Sequence, residues 1–190
     1  MNRLTKFFKD FMHQVYVISN TDKPLMPTVR FGKVRRMLKS GRAIVLEHYG
    51  LAAALRWYGE KFESRFNIPV KVIADDIQLR FENAWEISMF RIAQEALLNV
   101  AKHSKAKHVE IVLEVNSNLF LLSIKDDGIG FDPHALYQNK GYGLGLLLMK
   151  ERALSINASC DIKSEIGKGT DVIVLINIDE LNGNLLKHGC

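Results

Sequence analysis

A segment near the middle of the chain, FRIAQEALLNVAKHSKA (residues 90–106), carries polar side chains at a helical spacing that could support chemistry. Glu95, Asn99 and His103 follow one another in steps of four, and residues four apart lie on one face of a helix. Taken alone, such a stripe is favoured to be the solvated face of a surface helix. The alternative is a site in which an Asn carbonyl ligates Mg²⁺ and a Glu one turn earlier orients or deprotonates a nucleophile.

A second stretch, KDDGIGFD, ends a segment of alternating polarity. Asp126 and Asp127 precede Gly128 and Gly130, and two glycines at this spacing permit close backbone approaches that a side chain would block. A tight turn after a strand is the structural interpretation. The functional interpretation is a fixed carboxylate that accepts a hydrogen bond from an exocyclic amine such as that of adenine.

A third stretch, GYGLGLLLMKERA, places three glycines directly before a helix. Gly141, Gly143 and Gly145 would leave free backbone N–H groups at the positive end of that helix, which favours an anion. No GK[ST] follows, so this is not a Walker A motif. The preceding segment reads as a loop and not as a strand, so it is not a dinucleotide fingerprint either.

The elements that must hold these motifs follow from the periodicity of apolar residues. Helices are predicted at 50–66, 82–104 and 144–157, and strands at 68–75, 108–116, 119–127, 159–165 and 171–178. A fourth motif, GKGT from Gly167 to Thr170, joins the last two strands and by itself favours a hairpin turn. Antiparallel hairpins outnumber βαβ units, which indicates an α+β sandwich with a mixed sheet covered on one face by helices.

The N-terminal part of the chain, residues 1–48, has its own predicted elements. We expect a short amphipathic helix at 1–14, a strand at 15–19, and a basic helix at 29–43 that Gly41 stops. The following residues, 43–48, are ambiguous between strand and loop.

Composition and charge narrow the classes of function. Hydrophobic residues make up 47% of the 190-residue chain and charged residues 25%, as in ordinary soluble globular proteins. No apolar run approaches the roughly 18 residues needed to cross a membrane, and Lys9 and Asp10 interrupt the apolar start, so no signal peptide is predicted. Cys160 and Cys190 form no CxxC motif, which favours a cytoplasmic protein without disulfides or zinc.

The net charge of +5 is concentrated in one segment. Residues 23–42 carry seven basic residues and no acidic one, and this +7 leaves the rest of the chain at −2. Any binding of a polyanion is therefore expected at the front of the chain and not over its bulk.

The order of the four motifs is more specific than any one of them. A helix with E-x-x-x-N, a strand ending in DDGIGF, GYGLGL opening a helix and GKGT before a strand together resemble the ATP-binding domain of sensor histidine kinases. That domain is of the Bergerat type, shared with type II topoisomerases and Hsp90-like chaperones. The nitrate-sensor and degradation-sensor class is the most similar, because EHYGLAAALRWYGEKFESRFNIPV (47–70) resembles the segment that precedes its ATPase domain. The resemblance extends over about residues 47–178.

The resemblance implies ATP and Mg²⁺ as cofactors and gives roles to individual residues. Glu95 would be the general base or water-positioning carboxylate, and Asn99 the Mg²⁺ ligand. Lys102 and His103 would lie near the phosphates, and Asp126 would accept from the adenine amine. The other implied nucleotide-binding residues are Gly128, Gly130, Gly141, Gly143, Leu144, Gly145 and Thr170. Phosphoryl transfer needs mainly positioning and charge neutralisation, and this set would supply both.

The phosphoacceptor of that class is a histidine on a long upstream helix, and the chain departs from this pattern. Only His13 and His48 precede the ATPase region, and neither lies in such a setting. We therefore expect ATP to bind without autophosphorylation, and we expect a response regulator or a separate histidine-bearing kinase domain as partner. A related ATPase that phosphorylates a protein serine, as anti-sigma kinases do, would share the fold.

Residues 15–46 resemble a different family, the N-terminal P-L-M-P segment of transposon-encoded RNA-guided nucleases, through KPLMPT and GKVRRMLKSGRA. An alternative function is therefore a non-enzymatic chimeric remnant, or a module that binds RNA weakly through residues 23–42. The predicted division is a basic N-terminal appendage at 1–46, a remnant of the segment preceding the ATPase domain at 47–70, the ATP-binding domain at 71–178 and a C-terminal tail at 179–190.

Overall fold

A computed structural model describes residues 31–74, 81–116, 118–133 and 144–178, with the backbone alone described over 31–44. The chain divides into two compact units, Met1–Lys39 and Ser40–Cys190. The described part of the first unit is the beginning of a helix. The domain boundaries predicted at residues 46, 70 and 178 stay predictions.

Five strands form one mixed sheet in the order β1-β2-β3-β5-β4. The strands are β1 Val70–Ala74, β2 Val109–Asn116, β3 Leu119–Asp126, β4 Ser159–Glu165 and β5 Gly169–Asn177. β1 runs parallel to β2, and the other neighbouring pairs are antiparallel. The register pairs Asp126 at the end of β3 with Thr170 at the start of β5.

Three α-helices and one π-helical turn complete the described fold. They are α1 Phe31–Phe66, α2 Asn83–Asn99, the π-helical turn Val100–Ser104 and α3 Leu144–Leu154. Helix α2 is amphipathic, as the sequence predicted, and buries one face that includes Ile92, Ala93 and Leu97. The α+β sandwich with a mixed sheet is confirmed.

The prediction that Gly41 stops a short helix is wrong, and so is the strand-or-loop interpretation of residues 43–48. Helix α1 continues through both. A single glycine inside a helix costs only about 1 kcal/mol relative to alanine, and the buried side chains of Val45 and Leu46 help to offset it. The break falls instead at Gly50, where φ is 78°. That is a conformation for which glycine is the favoured residue.

The core lies between the helices and one face of the sheet. β2 and β3 bury alternate residues, as the two-residue period of a strand requires. The second half of α1 belongs to this core, since Ala54 and Leu55 have no exposed surface. A Cβ on Gly59 would lie only 3.1 Å from Val70 Cγ1, so α1 packs tightly against β1.

This packing predicts that the second half of α1 stabilises the fold directly. Leu55→Ala should lower the free energy of unfolding by about 2–5 kcal/mol, the usual cost of emptying a buried leucine site. Leu154→Ala is the matched control, because Leu154 is 65% exposed on α3 and should change stability by less than about 0.5 kcal/mol. Denaturant unfolding measures both, and equal effects would show that α1 does not belong to the core.

Candidate nucleotide-binding site

One cavity of about 500 Å³ lies among the C-terminal end of α2, the π-helical turn, β3, β5 and the start of α3. The predicted site residues that line it are Glu95, Asn99, Lys102, His103, Asp126, Gly130, Leu144, Gly145 and Thr170. Gly128 does not line the cavity but hydrogen-bonds to a residue that does. Gly141 and Gly143 lie outside the described residues, so their predicted role stays a prediction. The fold thus brings together residues that are up to 75 positions apart in sequence, from Glu95 to Thr170.

Asp126 is the buried acid of the cavity, with only 6% of its surface exposed. Its Oδ1 accepts a hydrogen bond from the Gly128 N–H at 2.8 Å. The pKa of Asp126 is raised, and burial is the largest cause; the negative charge of Asp127 also raises it. The hydrogen bonds from the Gly128 and Thr170 N–H groups lower the pKa and offset part of this rise. An ionised carboxylate offers about four acceptor positions. Two backbone donors therefore leave Asp126 able to accept from a ligand.

The turn after Asp126 is held by close backbone contacts. A Cβ on Gly128 would clash with the carbonyl oxygen of Ser104, so a larger residue at 128 would move the turn. The Ile129 N–H donates to the Ser104 carbonyl at 2.7 Å, and the Gly167 N–H donates to the Ile129 carbonyl at 2.7 Å. The DGIG and GKGT motifs are therefore parts of one backbone assembly, which the sequence presented as two separate turns.

The polar wall of the cavity is formed by Glu95, Asn99 and His103, which the sequence predicted on one face of a helix, but the helical geometry differs from the prediction. The sequence predicted one regular helix through residue 104, but the α-helix ends at Asn99 and a π-helical turn follows. His103 is therefore no longer one α-helical step beyond Asn99, although it and Lys102 still line the same cavity and are exposed. π-helical turns occur frequently at functional sites.

Helix α3 begins against this wall. A Cβ on Gly145 would clash with Oε1 of Glu95 and would lie 3.6 Å from Nδ2 of Asn99. The N-terminal end of α3 thus directly neighbours the carboxylate and amide of α2. A helix N-terminus favours negative charge through its free N–H groups and dipole, which suits a phosphate near that end.

The apolar part of the lining was missed by the sequence analysis. These side chains follow the ordinary core pattern of strands and helices, so no local signal separates them from the rest of the core. Ser104, a residue with a buried hydroxyl that lines the cavity, was also missed. The missed lining residues are Ala96, Val100, Ser104, Ile124, Ile129, Phe131, Leu146, Met149 and Val172.

The cavity fits a nucleotide with Mg²⁺. Its volume lies in the range of about 300–1,000 Å³ that small-molecule sites occupy. Apolar side chains accompany the buried Asp126, and an amide, a lysine and a helix N-terminus are available for phosphates. No group of three or more His, Cys, Asp or Glu residues that could hold a metal occurs in the described ranges. Mg²⁺ does not require such a group, because it commonly keeps several waters and binds to substrate phosphates.

Sequence comparison places this chain in a known family. The sequence model of one protein family, the histidine kinase-, DNA gyrase B- and HSP90-like ATPases, matches residues 86–180, which are half of the chain. The chain therefore belongs to that family. The oxygen sensor histidine kinase NreB of Staphylococcus carnosus is 36% identical over 151 residues, which are 77% of this chain and 42% of the relative. The signal transduction histidine-protein kinase/phosphatase DegS of Bacillus subtilis is 33% identical over 138 residues, 71% of this chain and 36% of the relative.

The chain spans less than half the length of these two curated relatives. The predicted resemblance to the nitrate-sensor and degradation-sensor class of kinases is confirmed by this similarity.

Solved structures show the same fold. The histidine kinase domain of the blue-light activated histidine kinase EL346 of Erythrobacter litoralis superposes with a TM-score of 0.59 at 20% identity, over 70% of this chain and 63% of that one. The histidine kinase AdeS of Acinetobacter baumannii gives 0.57 at 13% identity, over 93% of this chain and 97% of that one. At these identities the likeness concerns the fold alone.

Two remaining predictions concern the front of the chain and the membrane. The side chains of residues 23–42 lie outside those described, so the resemblance of residues 15–46 to the P-L-M-P segment and the weak RNA binding stay predictions. Within the described ranges, no helix combines the length and apolar character that crossing a bilayer requires.

Asp127 is not among the residues that line the cavity, and its contacts are structural. Its Oδ1 accepts from the N–H groups of Lys107 at 2.7 Å and His108 at 2.9 Å, and its Oδ2 lies 3.1 Å from Nδ1 of His108. The hydrogen bond from the His108 N–H is the largest cause that holds the pKa of Asp127 below its ordinary value. Asp127 therefore ties the end of β3 to the chain that enters β2.

The lowered pKa predicts a pH dependence. A carboxyl whose pKa is lower in the folded state stabilises the fold above its unfolded pKa and loses this contribution as pH falls through the folded pKa. Asp127→Ala should cost about 1 kcal/mol at pH 7, as for other side chains that cap backbone N–H groups, since solvent screens this half-exposed charge. The difference from the wild type should shrink below about pH 4.

The control for this measurement is Asp161→Ala. The side chain of Asp161 is more exposed than that of Asp127, 66% against 46%. It lies 4.0 Å from Lys163 in a surface ion pair, so its loss should be nearly neutral. Denaturant unfolding of the three proteins at pH 7 and pH 3 gives the comparison. A cost for Asp127→Ala that is the same at both pH values would contradict the role of its charge.

Proposed function

We propose that the chain provides the ATP-binding catalytic domain of a sensor histidine kinase, which transfers a phosphoryl group from Mg-ATP to histidine in two-component signalling. The observation that carries this proposal is a single cavity with a buried carboxylate, Asp126, among apolar side chains, and with Glu95, Asn99 and a helix N-terminus on another wall. The similarity to NreB and DegS supports it.

The base of the nucleotide would bind beside Asp126. This carboxylate would accept a hydrogen bond from the exocyclic amine of adenine, while Ile124 and Val172 supply apolar contacts. Gly130 and Thr170 line the same part of the cavity, and Gly128 holds the carboxylate through its N–H. A buried acceptor would discriminate strongly against a base without the matching donor, because the acceptor would then be left unpaired.

The phosphates would extend toward α2 and α3. Lys102 and His103 would contact the phosphates through their side chains. The backbone N–H groups of Leu144 and Gly145, and those of the predicted glycine loop with Gly141 and Gly143, would bind them as well. Asn99 would hold Mg²⁺ through its side-chain oxygen, and Mg²⁺ bound there would neutralise phosphate charge.

Glu95 would act on the nucleophile. As the nitrogen of the acceptor histidine forms its bond to the γ-phosphorus and ADP leaves, Glu95 would take the imidazole N–H proton or orient the ring through it. Its position beside Asn99 and Gly145 supports this role, because proton acceptor, cation ligand and phosphate end would then lie together.

The proposed partners follow from the reaction. ATP would be the phosphoryl donor, a histidine-bearing kinase domain would be the acceptor, and a response regulator would receive the phosphoryl group next. We place this activity in the cytoplasm, where ATP is supplied. A kinase of the same fold that phosphorylates serine is the alternative that the assay below separates.

The nucleotide assignment predicts a specific effect of Asp126→Asn. Asp126 accepts from the Gly128 N–H, so an Asn must turn its NH₂ group toward either that N–H or the adenine amine, and donors then face each other. Affinity for a Mg-ATP analogue should fall about 10- to 100-fold, the effect of losing a hydrogen bond to a charged group. Isothermal titration measures it, and Asp161→Asn is the surface control. An unchanged affinity in Asp126→Asn would reject the assigned pocket.

The kinase assignment predicts the pattern of label from γ-labelled ATP. The chain alone should acquire no acid-labile label, whereas a histidine-bearing kinase domain added in trans should be labelled. Glu95→Gln should slow this transfer by about 100-fold or more and leave ATP affinity within a few fold. Acid-labile label on the chain alone would contradict the first expectation. Acid-stable label would indicate the serine-kinase alternative.

A further inference from the structure

We propose that Ser104 is a positioning residue for recognition of the base. It fixes the turn that holds the Asp126 carboxylate and thereby sets the preference of the site for a base with an exocyclic amine. The inference rests on the proposed nucleotide function of the cavity and adds to it a residue to which the sequence analysis gave no role.

Ser104 is a buried polar residue, 8% exposed, at the end of the π-helical turn. Its hydroxyl donates to the Val100 carbonyl at 3.0 Å and accepts from the Ala106 N–H at 3.0 Å. The next residue, Lys105, has a φ of 53°, so the chain reverses there in the left-handed region. The hydroxyl therefore holds both sides of this reversal, and it fixes where the main chain of residue 104 lies.

The main chain of Ser104 in turn fixes the glycine turn. Its carbonyl accepts from the Ile129 N–H at 2.7 Å, and Gly128 lies so close that a Cβ on it would clash with that carbonyl. Gly128 donates to Oδ1 of Asp126 at 2.8 Å. A continuous series of short contacts thus connects the Ser104 hydroxyl to the carboxylate proposed to read the base.

The position of this turn determines which way the carboxylate faces. Asp126 can accept from a ligand only with the lone pairs that Gly128 and Thr170 leave open. A turn released from Ser104 would let Gly128 and the carboxylate move together, and the acceptor would lose its alignment with the amine. Removing the hydroxyl would therefore weaken recognition of the amine more than it weakens contacts to phosphate or sugar.

The test compares two nucleotides in Ser104→Ala. ATP and purine riboside triphosphate differ in the exocyclic amine, which only ATP carries. We expect wild type to prefer ATP, and Ser104→Ala to bind ATP about 3- to 10-fold more weakly, the effect of impairing one hydrogen bond, with little change for the purine analogue. Calorimetric titration with Mg²⁺ present gives both affinities.

Ser64→Ala is the matched control. The Ser64 hydroxyl also donates to the carbonyl four residues earlier, Glu60, at 2.8 Å, but it is exposed on α1 and does not line the cavity. Both affinities should be unchanged in this variant. If Ser104→Ala does not fold, Ser104→Cys is the substitute, because it keeps a weak donor and acceptor of similar size. It should reduce the preference for ATP over the purine analogue by a smaller factor than expected for Ser104→Ala.

A thermodynamic cycle with Asp126→Asn tests whether Ser104 acts through Asp126. In the Asp126→Asn background, Ser104→Ala should not reduce the preference for ATP over the purine analogue any further, because both changes impair the same hydrogen bond to the amine. A further narrowing would overturn the inference. So would an equal loss of affinity for both nucleotides, which a purely structural role predicts, or an unchanged preference in Ser104→Ala.

Failure of the underlying function is recognised separately. If wild type binds both nucleotides equally, Asp126 does not read an amine, and the proposed pocket fails together with this inference. If wild type prefers ATP and Ser104→Ala keeps that preference, only the role of Ser104 fails.

Discussion

The close approach of backbone segments beside Asp126 is the constraint on which the site depends. The end of the π-helical turn at Ser104, the turn at Gly128 and Ile129, and the hairpin at Gly167 are joined by N–H···O=C bonds of 2.7 Å. A Cβ on Gly128, Gly130 or Gly169 would collide with a backbone carbonyl, which is why glycine recurs in both motifs. A buried carboxylate can be held in one orientation only because this assembly leaves it so little freedom.

The rest of the fold brings element ends to this assembly. Asn99 ends α2, Asp126 ends β3, and Gly145 stands at the second position of α3, so these three site residues lie at the ends of regular elements. The buried faces of the same elements make the core that fixes these ends. Stability and site geometry therefore arise from one arrangement, in which apolar residues hold the elements and their ends carry the chemistry.

The sequence predicted most of this because the informative features are local. Alternation in β2 and β3, the apolar face of α2 and the DDGIGF and GYGLGL motifs each occupy a short window. The failures concern interactions between distant residues. Gly41 was wrongly predicted to end a helix, because the burial of neighbouring residues that stabilises this helix cannot be recognised from the sequence around the glycine. The apolar side chains of Ile124 and Val172 follow the same pattern as core residues, so the sequence does not show that they line a cavity. The π-helical turn after Asn99 has no recognised sequence signal, so the stripe that indicated the site was predicted with the wrong helical geometry.

The central claim is that one cavity binds Mg-ATP with the base at Asp126 and the phosphates at α2 and α3. The most direct measurement is a ¹H–¹⁵N correlation spectrum of the labelled chain titrated with a non-hydrolysable ATP analogue and Mg²⁺. Nucleotide binding in this cavity should shift the backbone amide signals of Gly128, Thr170 and Gly145, which border or line the cavity, and leave those of Glu114 and Asn116 at the far end of β2 unchanged. An absence of shifts at saturating nucleotide, or shifts confined to residues outside the cavity, would contradict it.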